Sequence, residues 1–164
     1  MQLLVADAGP LIALAVAGVL PLVLQQFEVC VPQAVLDECL CDPYAAGAVL
    51  ILEHSRCAGF STVSDKAIKN LDAAYLMGLG SGEVAVLSYA HQHGQVALVD
   101  DRRARRIAQQ LGVSVVGSGA MLLALKKSGA ITSIRPALVA WRAHGYFLSE
   151  ALQRQLLAAA GEPT

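Results

Sequence analysis

The chain has 164 residues, which fits one domain with a sizeable core. Hydrophobic residues make up 55% of it and charged residues only 15%, whereas soluble proteins average about 25% charged residues. Such a composition favours a sheet that is buried on both faces, and it would also suit an apolar interface between subunits. The net charge of -1 excludes a global basic field that attracts nucleic acid, so any phosphate binding must rely on local patches.

The first apolar segment, residues 8–27, contains no charged side chain and is about as long as a membrane span. Pro10 and Pro21 divide it, and Gln25 and Gln26 end it, so we predict two short core helices that break at 18–21. No cationic side chain precedes the segment, which argues against a signal peptide. The four cysteines show no Cys-x-x-Cys spacing, and we interpret them as reduced thiols in a cytoplasmic protein.

Further along the chain, short apolar runs alternate with helical patterns. The runs that predict strands are 3–6, 27–31, 59–63, 95–99 and 113–116. The segments that predict helices are one opened by Pro10, then 32–40, 42–54, 83–93, 102–110, 120–127 and two more from Pro136 onward. A glycine-rich turn is predicted at 78–82. This alternation predicts an α/β fold with a parallel sheet.

Several carboxylates fall at one edge of this predicted sheet. Asp7 follows the first strand, and Asp100 and Asp101 follow the fourth; the carboxyl ends of parallel strands are where ligands bind. Each also has a purely structural interpretation. Asp7 could cap the helix that Pro10 opens, and one of the Asp100–Asp101 pair could cap the next helix while the other is solvated. A cap requires only one of that pair.

Two glutamates join this group. Glu38 shares a helical face with Val35, and it could equally lie at the rim of the apolar stripe with its carboxylate in water. Glu83 lies in the first turn of a predicted helix with Ser81 as N-cap, where the helix dipole alone favours an anion.

Taken together, these acids predict a metal site. Clustered carboxylates repel one another and raise some pKa values, and a hard divalent cation removes that cost. Ligation by oxygen alone favours Mg²⁺ or Mn²⁺. The histidines show no ligand spacing, so zinc is not indicated.

A set of ordered motifs resembles the PIN-domain family, most closely a VapC-like, toxin-type branch. The resemblance covers nearly the whole chain and is carried, in this order, by "VADAGPLIALA", "VPQAVLDE", "GSGEVAVLSYA", "LVDDRRARRIAQQLGV", "GAMLLALKKSGAI" and "IRPALVAWRAHGYFLSEALQRQLL". It implies a single PIN-like domain over 1–164, built as a three-layer α/β/α sandwich with a central parallel sheet. The C-terminal helices, about 136–160, would pack on that domain.

The same resemblance implies a metal-dependent ribonuclease with acids around Mg²⁺ or Mn²⁺. In it Asp7, Glu38, Glu83 and Asp100 take the catalytic and metal-binding positions, and Asp101 is a candidate to replace or assist Asp100. Many relatives carry Asp where this chain has Glu83. Relatives often carry Ser or Thr two residues after the first Asp, where this chain has Gly9.

The implied partners are an RNA substrate, an antitoxin protein and a second copy of the chain. Arg102 shares a helical face with Arg105 and Arg106, which could hold the RNA backbone, although arginines also commonly form a solvated face. Aromatic residues are only 5% of the chain, so base-stacking platforms are expected to be scarce.

Two other functions fit parts of the sequence. The absence of a hydroxyl at Gly9, together with the apolar composition, motivates a catalytically inactive PIN-like module that binds RNA or protein. A phosphorylated receiver domain also clusters acids at strand ends, but it would want a lysine after a late strand, and no lysine lies between Asn70 and Leu125.

Overall fold

In the computed structural model, the backbone of residues 1–164 is described, together with all side chains except those of residues 74 and 75. Five strands form one sheet in which every neighbouring pair is parallel. In chain order they are β1 (Gln2–Ala6), β2 (Phe27–Pro32), β3 (Phe60–Val63), β4 (Val96–Leu98) and β5 (Val115–Val116). Their spatial order is β3-β2-β1-β4-β5, so β1 lies at the centre.

Helices connect and cover these strands. They are α1 (Ala8–Val16), α2 (Leu20–Gln26), α3 (Gln33–Cys39), α4 (Ala46–His54), α5 (Ala73–Leu76), α6 (Ser81–His93), α7 (Arg102–Gln110), α8 (Ser118–Lys127), α9 (Arg135–Ala143) and α10 (Glu150–Ala159). A short 3₁₀ turn spans Asp65–Ala67. The arrangement is a three-layer α/β/α fold around a parallel sheet, which confirms the fold class that the sequence predicts.

Some helix starts differ from the predicted ones. Helix α1 begins at Ala8, so Pro10 occupies its third position rather than its first. The change costs no hydrogen bond, because the first four N–H groups of a helix have no intrahelical partner. Helix α6 begins at Ser81 with Gly80 as N-cap, where Ser81 was predicted to cap. Helix α4 begins at Ala46, a few residues later than predicted.

The apolar N-terminal segment folds as the predicted pair of short helices. Helices α1 and α2 meet at a bend of 112°. In the described part of the chain no single helix has the length and apolar character of a membrane span, and these two reach it only as a bent pair.

The C-terminal helices pack on the rest of the fold through specific contacts. The indole Nε1 of Trp141, on α9, donates a hydrogen bond to the carbonyl oxygen of Ala13 at 2.7 Å. Beyond α10, Glu162 accepts a hydrogen bond from Lys126 Nζ at 2.7 Å and another from the Ile134 amide at 2.8 Å. These bonds tie the end of the chain to α8 and to the start of α9.

Candidate active site at the carboxyl edge of the sheet

The strand order places two of the predicted acids side by side. From β1 the chain continues to β2 and β3 on one side of β1, and it then crosses to β4 and β5 on the other side of β1. The strand order therefore reverses between β1 and β4, which makes the gap between them a topological switch point. Asp7 follows β1 and Asp100 follows β4 by two residues. The Asp7 amide donates a hydrogen bond to the Leu98 carbonyl at 3.0 Å, which joins the two strand ends.

The Asp7 carboxyl is buried and lies among like charges. Its residue is 7% exposed. Asp7 stands at the N-cap position of α1, yet its side chain makes no capping hydrogen bond. Its pKa is raised from 3.8 to about 7, chiefly by burial; the charges of Glu83, Glu38 and Asp100 contribute to this increase, and the Ala8 amide opposes it. A capping role alone therefore does not explain Asp7.

Glu38 and Asp7 converge on the first turn of α6. A Cβ added to Gly82 would lie 3.0 Å from Glu38 Oε2 and 3.7 Å from Asp7 Oδ1. It would also lie 3.1 Å from Val35 Cγ2. The missing side chain at Gly82 thus lets α3 and α6 approach while two acids face the same space. The sequence predicts only a turn over 78–82, and no functional role for Gly82 was predicted.

Glu83 performs the structural role that its position suggested. Its Oε2 accepts a hydrogen bond from the Gly80 amide at 2.9 Å, which is the reciprocal half of a capping box at the start of α6. Its charge nevertheless contributes to the raised pKa of Asp7. Glu83 therefore caps its helix and adds negative charge to the site.

Asp100 and Asp101 have different roles. Asp101 is exposed, and its Oδ1 accepts a hydrogen bond from the Ala104 amide at 2.9 Å, so it caps α7. Asp100 instead accepts two hydrogen bonds from Ser118: the Ser118 amide donates to Oδ1 at 2.8 Å, and the Ser118 Oγ donates to Oδ2 at 2.8 Å. The phenol of Tyr146 also donates to Asp100 Oδ2.

Sequence reasoning missed Ser118 and Tyr146. Ser118 directly follows the glycine after β5, so its place at the carboxyl edge of the sheet was a usable signal. Tyr146 lies between α9 and α10, and no spacing connects it to Asp100. Burial and its hydrogen bond to Asp100 raise the pKa of the Tyr146 phenol, which keeps it a hydrogen-bond donor.

The arginines of α7 are divided between two surroundings. Arg102 and Arg105 line a cleft of about 520 Å³ together with Asp100. Arg105 is half-buried, and its Nη1 donates to the Val99 carbonyl at 2.9 Å. Arg106 is exposed and does not line this cleft. Of the three predicted RNA contacts, two therefore lie beside an acid of the site.

The charge balance of the site bears on cation binding. In the part of the chain whose side chains are described, the ion pairs are Lys126–Glu162 and Arg154–Glu150, and neither includes Asp7 or Asp100. The donors are all carboxylate oxygens, which suit a hard divalent cation. No three His, Cys, Asp or Glu side chains among those described stand close enough to hold a metal by themselves.

Residues 3–162 match a family model that is described as a PIN domain. No curated protein matches the chain.

Proposed function

Because this chain belongs to the PIN-domain family, we propose that it is a metal-dependent endoribonuclease that hydrolyses RNA phosphodiester bonds with Mg²⁺ or Mn²⁺. PIN domains are generally nucleases that depend on divalent metal ions. The observation that carries the proposal is the Asp7 carboxyl, which is buried at a switch point, makes no capping bond and has its pKa raised to about 7 among other acids. Holding such a group costs stability, and a cation-binding role explains why it is there.

The protein ligands of the cation would come from Asp7, Glu38, Glu83 and Asp100. Because no three of the described acids stand close enough to hold a metal by themselves, water and phosphate oxygens would complete its coordination. When bound, a divalent ion lowers the pKa of a water molecule and stabilises negative charge that develops on the phosphate. Ser118 and Tyr146 orient Asp100 through their hydrogen bonds, so its carboxylate keeps one direction.

Asp101 is the weaker candidate within the adjacent pair. Its Oδ1 caps α7 by accepting the Ala104 amide, whereas Asp100 lines the cleft and its charge raises the pKa of Asp7. We therefore assign Asp100 to the site and Asp101 to the cap.

Titration calorimetry with Mn²⁺ and Mg²⁺ tests the site without a known substrate. We expect Asp7→Asn and Asp100→Asn each to remove the binding heat. Asp101→Asn is the matched control, because Asn caps a helix as well as Asp does and the variant should bind like the wild type. Cleavage of single-stranded RNA that persists in Asp7→Asn would refute the proposed nuclease site.

A catalytically inactive binding module is the second candidate, and Gly9 is the observation that favours it. A Cβ at Gly9 would have no atom within 4 Å, so a serine fits there without displacing a neighbour. If the wild type does not cleave RNA and Gly9→Ser does, the missing hydroxyl is the cause. If neither cleaves, the binding module is the better description.

We further propose that the chain is the toxin of a VapC-like toxin–antitoxin pair, acts in the cytoplasm and forms a homodimer. Exposed apolar side chains on α4 and α9, Leu52 and Val139, support a protein interface. Induced expression should arrest growth, and Asp7→Asn should not. Light scattering of the purified protein should give twice the mass of the chain.

A further inference from the structure

A cleft opens beside the acid site and shares Asp100 with it. Its volume is about 520 Å³, and Asp100, Arg102 and Arg105 form one part of its wall. The loop between α9 and α10 forms another part, with Tyr146 and Phe147. The cleft thus joins an acid of the site, two guanidinium groups and an aromatic loop.

Phe147 is the unusual member of this wall. It is 96% exposed, so its ring gains almost nothing from the fold. Its neighbour Tyr146 is anchored, because its phenol donates to Asp100 and its ring lies 5.3 Å from that of Trp141 between centroids. The anchored tyrosine therefore holds the backbone next to Phe147 at a fixed distance from the acids.

The guanidinium groups give the cleft a cationic wall. Arg102 is exposed and makes no hydrogen bond or ion pair with the described side chains, so it is available to an anionic ligand. Arg105 is oriented by its bond to the Val99 carbonyl. A ligand that contacts both parts of the wall carries a flat apolar face and a negative charge, as a nucleotide does.

We propose that this cleft is a nucleotide-binding subsite for single-stranded RNA, in which an unpaired base stacks on Phe147 and the adjoining phosphate contacts Arg102 and Arg105. The inference rests on the proposed function, because it places the base next to the phosphodiester that the acids would cleave. A duplex does not fit the subsite, since its bases are already stacked on one another and present no free face. Phe147 is thereby a residue that selects single strands.

Binding without cleavage tests the subsite. The probe is a short fluorescein-labelled single-stranded RNA of mixed sequence, and its anisotropy is followed in EDTA so that no divalent ion is present. Stacking on an aromatic ring changes affinity by roughly fivefold to a hundredfold per base, so Phe147→Ala should weaken binding by at least about fivefold. Tyr44→Ala is the matched control, because Tyr44 is 93% exposed and lies outside the cleft.

Salt dependence separates the base contact from the phosphate contact. Arg102→Ala should reduce the slope of log Kd against log salt by about 0.7, the value for one phosphate contact on a single strand. Phe147→Ala should leave that slope unchanged. For a duplex of the same sequence, Phe147→Ala should bind as the wild type does.

Three results would overturn the subsite. They are no binding of single-stranded RNA by the wild type, equal affinity of Phe147→Ala and wild type, and equal weakening by Tyr44→Ala. If instead Phe147→Ala halves the mass measured by light scattering without changing RNA affinity, Phe147 belongs to an interface between copies. If the nuclease proposal is wrong and the subsite is right, the result differs: RNA binding still depends on Phe147, and no cleavage follows when Mn²⁺ is added.

Discussion

Replacing Asp7 by asparagine should stabilise the protein above neutral pH. The folded state holds the Asp7 pKa at about 7, against an ordinary value of 3.8. Each pKa unit corresponds to about 1.4 kcal/mol, so the charged carboxylate destabilises the folded state by up to about 4 kcal/mol. Because the native state binds this proton more tightly than the unfolded state does, stability declines as pH rises from about 4 to 7, and the penalty is complete above pH 7.

The assay is urea unfolding of wild type and Asp7→Asn in EDTA at several pH values from 4 to 8. We expect the difference in unfolding free energy to be small at pH 4 and to grow to at most about 4 kcal/mol at pH 8. Asp101→Asn, whose carboxylate is exposed and already bonded to the Ala104 amide, should show no comparable trend. A difference between Asp7→Asn and wild type that does not change with pH would refute the assignment of the penalty to a buried charge.

Three further changes test the supports of the site and of the fold. Tyr146→Phe should lower stability by about 1.5 kcal/mol in denaturant unfolding, because it removes one donor to the Asp100 carboxylate. Glu162→Gln should lower the free energy of unfolding by about 1–2 kcal/mol at pH 7. Because folding lowers the pKa of Glu162 from 4.5 to about 2, the contribution of its carboxylate is lost as pH falls through this range, and the stabilities of the two proteins should converge at pH 2. Gly82→Ala should weaken Mn²⁺ binding about tenfold or more in calorimetry, because the new Cβ would lie 3.0 Å from Glu38 Oε2.

Much of the fold was predictable because apolar runs and helix signals repeat along the chain. All five strands were predicted within a few residues, and the order of strands and helices indicated a parallel sheet. Helix starts were less accurate. Proline at Pro10 satisfies any of the first positions of a helix equally, and glycine at Gly80 can cap as serine can, so local sequence does not distinguish these alternatives.

The candidate site was predictable in part. Asp7 and Asp100 were predicted from their places after strands, and Glu38 and Glu83 from their places on helices, but the separate roles of Asp100 and Asp101 were not predicted. Their difference depends on which carboxylate turns toward Ser118 and which toward the Ala104 amide. The Ala104 contact is local, but the Ser118 contact spans 18 positions and depends on the packing of β4 against β5. The Tyr146 hydrogen bond depends entirely on tertiary structure, because Tyr146 lies 46 positions along the chain from Asp100.

The hydrogen bond from Tyr146 to Asp100 has a consequence for the order in which the site forms. Asp7, Glu38 and Glu83 all precede Tyr146 along the chain. Until the loop between α9 and α10 docks, Asp100 lacks one of its donors and the cleft lacks its aromatic wall. The proposed cutting site is therefore complete only when a segment distant in sequence from its acids has folded onto the edge of the sheet.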